Sequence, residues 1–151
     1  MSKNENHKRP RYELSKRKDF KMVFTTTPMY ALAVSIIWLI LWLRVTSLRS
    51  KIKVSIGDDG DKKLLQRIRQ HGNCADWMSI VLILMILAEG MGTPAHYLHI
   101  SGVLLVIGRI AHPFGLKTEN AGHPLRYFGN GTNILATLNA MFFVSINLLG
   151  L

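Results

Sequence analysis

Eight polar residues stand at spacings that could hold a small charged ligand. Gln66, Arg69, Asn73 and Asp76 follow one another at intervals of 3, 4 and 3 in the run QRIRQHGNCAD. That repeat gathers side chains into one stripe along a helix. Arg109 and His112 are three apart in GRIAH, and Arg126 and Tyr127 open the last apolar run. Guanidinium forks are suited to carboxylates, and a carboxylate is suited to an ammonium. Arginines beside one amide and one carboxylate therefore suit a small polyanion that also carries an amine or amide. Metal chemistry has less support. His96 and His99 are too few for zinc, and GDDGD lacks the remaining ligands of a calcium loop. Cys74 is the only cysteine, so no intrachain disulfide forms. It reads as a small apolar helix residue.

These groups must be placed by membrane helices. The chain is 151 residues long, 48% hydrophobic, with a net charge of +10. Eight of its 19 Lys and Arg lie in the first 21 positions, and eight more lie between Arg44 and Arg69. They flank apolar runs, as juxtamembrane charges do, which argues against nucleic acid. The expected organisation is a basic, disordered tail over 1–27 and a four-helix transmembrane domain over 28–151. The first helix spans about Pro28 to Leu48, with Thr27 as cap and Pro28 at its first position. The second runs from near Asp61 to Gly90–Gly92. GMGTP is a turn, with Thr93 capping a third helix from Ala95 to about Ala111, which Pro113 ends or kinks. The fourth runs from about Leu125 to Leu151. Glu89 reads as snorkelling or as pairing at a helix end. Asn133, Asn139 and Asn147 read as interhelical hydrogen-bonding groups, and Gly129 and Gly131 as points of close helix approach. The fold class is all-α, an integral membrane four-helix bundle.

Length shows why the polar groups matter. Crossing the hydrocarbon takes about 20 residues. The uncharged stretch Trp77–Ala88 covers only about 18 Å, and Ala95–Gly108 about 21 Å. The polar ends of both helices must then reach membrane depth, where such groups avoid lipid and face a bundle interior or a wet cavity. Counted from the turn at Gly92, Asn73 lies about 28 Å back and Arg109 about 24 Å forward. Arg126 opens the fourth helix at the same rim.

With those residues in view, GDDGDKKLLQRIRQHGNCADW, ILAEGMGTP and VIGRIAHPFGL resemble the bacterial branch of the MAPEG family, membrane-associated proteins in eicosanoid and glutathione metabolism. The resemblance covers about Pro28 to Leu151. It implies a homotrimer that binds glutathione, as co-substrate, between subunits. Arg69, Asn73 and Asp76 resemble its glutathione contacts, the last standing where a glutamate is usual. Arg109 and His112 match the pair on the third helix, and Gln66 begins the same stripe. Arg126 matches an arginine near the sulfur, with the Tyr127 hydroxyl a second candidate for the catalytic role. The sequence departs from some members at Gly72 (arginine), Leu116 (tyrosine) and Tyr127 (serine), all on the side that would activate the thiol. The implied activity is addition of the glutathione thiolate to lipophilic electrophiles, with peroxide reduction as a side activity. The alternative is a non-catalytic scaffold that binds a lipid or a protein partner in the same place. The rim holds eleven Lys and Arg from Arg44 onward against eight in the tail on the opposite side; with the family resemblance added, the expectation is a rim on the cytoplasmic face of a bacterial inner membrane.

Overall fold

The computed structural model describes residues 24–151, so positions 1–23 of the expected tail lie outside the described residues. Four helices follow in order: α1 Thr27–Ile52, α2 Lys62–Gly90, α3 Ala95–Gly115 and α4 Pro124–Leu149. Among the described residues the only bridge outside helices joins Lys117 and Asn120, in the loop between α3 and α4. Each helix is long and apolar enough to cross a membrane. Large apolar side chains point outward on all four, among them Leu32, Ile83, Ile110 and Leu138, each more than half exposed. That apolar belt suits lipid, and helices leave no backbone group unpaired there. The protein is an integral membrane protein.

Inside, Val34, Val81, Met85, Leu105 and Ala136 are fully buried and form the central core. A smaller cluster of Val45, Leu48 and Leu64 joins α1 to the start of α2 near the rim. Helices α3 and α4 make the most intimate pair. Glycines allow it: a methyl group on Gly108 would collide with Asn133, and one on Gly129 would sit 2.7 Å from the His112 Cβ. Gly131, also expected at a close approach, has nothing near it. Asparagines of α4 lace the pair together. Asn139 donates to Ser101 Oγ at 2.8 Å and to the Tyr97 carbonyl at 3.0 Å.

Helix ends differ from expectation in three places. At the start of α1, Thr26 takes the cap position but makes no side-chain cap bond. The Glu89 carboxylate does the capping from the far end of α2. It accepts from the backbone N–H groups of Thr25, Thr26 and Thr27 at 2.7, 2.7 and 2.8 Å. An anion at a helix N-terminus satisfies orphan donors and complements the dipole. At the next turn Pro94 precedes α3 in the cap position. The Thr93 hydroxyl oxygen instead accepts from Asn147 Nδ2 at 2.8 Å. Pro113 does not end α3, which continues to Gly115. A proline removes only one intrahelical donor, and the strand of chain beyond it is held from outside: Gln70 Nε2 donates to the Pro113 carbonyl at 2.6 Å and to that of Leu116 at 3.1 Å. The second helix starts near Asp61 as expected, and Asp61 itself takes the cap position, accepting from Leu64 N–H at 2.7 Å.

Candidate functional site

The polar stripe of α2 divides into two edges. At 100° per residue, Arg69 and Asp76 lie roughly 60–80° round the helix from Gln66. Gln66, Gln70 and Asn73 turn toward α3 and the loop after it, whereas Arg69 and Asp76 are exposed. The inner edge meets Arg109. Arg109 is 1% exposed, among the most buried large side chains of the chain. Its Nη1 donates to the Asn73 side-chain oxygen at 2.8 Å and to the Asn73 carbonyl at 3.1 Å. Its Nε donates to Asn133 Oδ1 at 3.1 Å, and its Nη2 reaches the Gly129 carbonyl at 3.5 Å. One guanidinium thus joins α2, α3 and α4. Among the described residues all its hydrogen-bond partners are neutral. Asn133 is oriented in turn by donating to the Gly129 carbonyl.

His112 lies one turn beyond Arg109, is 2% exposed, and packs its Cβ against Gly129. Its Nδ1 and the Gln70 Oε1 are buried without a hydrogen-bond partner. Gln66 Oε1 accepts from Thr118 N–H at 3.3 Å and pins the α3–α4 loop to α2. Gln66 and Arg69 share a cavity of about 270 Å³ with Leu65, Leu116, Lys117 and Thr118. Arg126 is half-buried at the start of α4, where Nη1 donates to the Ala121 carbonyl at 3.3 Å. Tyr127 is 65% exposed.

The structure therefore brings Asn73 to Arg109, and Gln66 to Arg69. Asp76, Arg126 and Tyr127 make no hydrogen bond to either group within one chain among the described residues. Gln70 was missed in the sequence, although it lies between Gln66 and Asn73 at i+4 and i−3. Asp76 lies about 21 Å from the end of α2, well inside a hydrocarbon layer of about 30 Å. Leu65, Arg69, Asp76, Ile83 and Leu87 continue one exposed face at intervals of four or seven.

The model of the MAPEG family matches residues 26–146, from the cap of α1 to the last turn of α4. The chain belongs to the MAPEG family. It is also 32% identical, over 87 residues, to the inner membrane protein YecN of Escherichia coli K12. The same figures hold for YecN of Escherichia coli O6:H1. That similarity covers 58% of this chain, and the chain spans 66% of the length of those curated relatives. No solved structure matches it. Membership places the Asn73–Arg109 junction and the exposed Arg69–Asp76 edge in a known kind of membrane protein.

Proposed function

We infer that this MAPEG protein is a membrane glutathione transferase, a homotrimer that holds glutathione between subunits against the outer edge of α2. One observation carries the reading: a cation and an anion, Arg69 and Asp76, stand uncovered on one helix face at or near membrane depth. Charged groups at that level face protein or a wet site rather than lipid, so a neighbouring subunit covers them. They are two turns apart, about 10.5 Å. Glutathione carries two carboxylates and an ammonium at its ends. Arg69 holds a carboxylate and Asp76 the ammonium. Asn73, Arg109 and His112 lie beneath. Arg109 locks α2 to α3 and α4, and so fixes the helix that presents the charged edge.

Arg126 faces the sulfur. A nearby guanidinium lowers a thiol's pKa and raises its thiolate fraction. The thiolate, its proton having left to solvent, then forms a carbon–sulfur bond with an electrophile arriving from the bilayer, either opening an activated double bond whose carbanion takes a proton from solvent or displacing a leaving group that departs with its electron pair. The rim faces the cytoplasm. A second reading, a scaffold that holds lipid or a partner without turnover, is favoured by one feature: Arg126 already donates to the Ala121 carbonyl, and Tyr127 turns outward.

Calorimetric titration of glutathione into the detergent-purified protein, with ultraviolet thiolate absorbance read on the same samples, tests both. Arg69→Ala or Asp76→Ala removes a charge-assisted bond of about 1.5–3 kcal/mol. Kd should then rise by about 10- to 150-fold. Arg126→Ala should spare binding and abolish the thiolate signal. Binding without thiolate in the unaltered protein selects the scaffold. Absence of binding refutes the transferase and leaves the scaffold that holds lipid or a partner.

A further inference from the structure

A second site lies on the other side of α3, where α1 crosses it. A groove of about 150 Å³ opens there between Ile37 and Ile40 of α1 and Ile110 and Phe114 of α3. Leu41, Pro113 and two arginines, Arg44 and Arg109, complete its lining, and no carboxylate does. The groove faces lipid: Ile40, Ile110 and Phe114 are each more than half exposed.

Arg109 is the unusual member. Arginine has five N–H donors and stays charged. The structure gives Arg109 four hydrogen bonds, all to uncharged oxygens, the longest at 3.5 Å. The buried positive charge has no counterion among the described residues. In a low-dielectric setting such a charge attracts an anion over distances at which water would screen it. The second arginine, Arg44, is exposed at the same groove and lies about 26 Å along α1. The Glu89 cap puts the start of α1 on the side of the α2–α3 turn, so Arg44 comes close to the far edge of a layer about 30 Å thick. That is headgroup level.

We propose that this groove binds the headgroup of an acidic phospholipid, its phosphate drawn by Arg44 and by the charge of Arg109, its acyl chains lying along Ile40, Ile110 and Phe114. Charge complementarity selects an anion, and the apolar lining selects one attached to hydrocarbon. At about 150 Å³ the groove has room for a phosphodiester. Basic pockets between membrane helices recognise such headgroups. The site shares only Arg109 with the glutathione reading, and Arg44 and Ile110, the groove residues that the variants alter, are not part of that reading.

The full-length protein, reconstituted with equal phosphatidylglycerol and phosphatidylcholine and released into mild detergent, is weighed by native mass spectrometry. Phosphatidylglycerol should be retained at least tenfold over phosphatidylcholine. Arg44→Glu should abolish that preference. Ile110→Trp, which fills the groove and keeps both charges, should abolish retention, while Leu138→Trp on the outer face of α4 should leave it unchanged. Glutathione titration on the same samples should be unaltered in all three variants. Equal retention of the two lipids overturns the proposal. So does retention surviving both groove variants, displacement by free fatty acid at equal concentration, or Ile110→Trp splitting the oligomer with lipid still bound, which would make the groove a contact between copies.

Discussion

Arg109 and Asn73 are expected to be coupled more strongly than ordinary polar pairs inside a membrane bundle. The perturbation is a double-mutant cycle: Arg109→Met, Asn73→Leu and the two combined. Arg109 Nη1 makes two bonds to Asn73, one to the side chain at 2.8 Å and one to the carbonyl at 3.1 Å. Only the side-chain bond disappears in Asn73→Leu. A hydrogen bond to a charged group contributes about 1.5–3 kcal/mol. Neutral interhelical pairs in a membrane protein average about 0.6 kcal/mol and reach about 1.7. Each single variant strands a buried group, the guanidinium in one and the Asn73 oxygen in the other. The double variant strands less, so the two losses should fall short of additivity by about 1.5–3 kcal/mol. Reversible unfolding in mixed detergent micelles, followed by circular dichroism, gives the four free energies. Coupling near 0.6 kcal/mol or below would refute the reasoning, because it would mean that the guanidinium is solvated rather than shared among three helices.

Two further outcomes follow from the helix ends and contacts. Glu89→Gln removes the charge from the carboxylate that accepts from three backbone N–H groups. It should cost about 1.5–3 kcal/mol and speed amide exchange at Thr25–Thr27, and unchanged exchange there would rule out the cap. Gly129→Ala places a methyl group 2.7 Å from the His112 Cβ and should destabilise by about 1–3 kcal/mol. Gly131→Ala meets open space and should stabilise by up to about 1 kcal/mol through helix propensity; the same micelle unfolding separates the two.

The spans were legible because each is a long apolar run, and the start of α2 because the GDDGD turn precedes it, whereas the Asp61 cap on Leu64 N–H is seen only in the structure. Asn139 was legible as an interhelical donor because an amide in a greasy helix must find a partner. Other features depend on partners far along the chain. Glu89 was expected to pair at a helix end, but nothing local identifies amides 62–64 residues earlier as its acceptance targets. Gly129 and Gly131 look alike in sequence, and only the rotation of α4 about its axis turns one toward His112. The stripe of α2 was seen as one face because intervals of 3 and 4 cannot resolve its width. It took the position of α3 to separate Asn73, which meets Arg109, from Asp76, which does not. Gln70 escaped notice because its role is to hold carbonyls beyond a proline, a need created only by the continuation of α3.

The Glu89 cap also has a consequence for topology. It ties the first residues of α1 to the turn between α2 and α3, and Asn147 ties the last turn of α4 to Thr93 in that same turn. Four crossings are an even number, and these bonds pin both described ends to one face of the bilayer. The two charged loops are left on the other face. Reporters at the start of α1 and the end of α4 must therefore read alike, and opposite to one placed between α1 and α2. An inverted subunit would have to carry its whole basic rim across the bilayer with it.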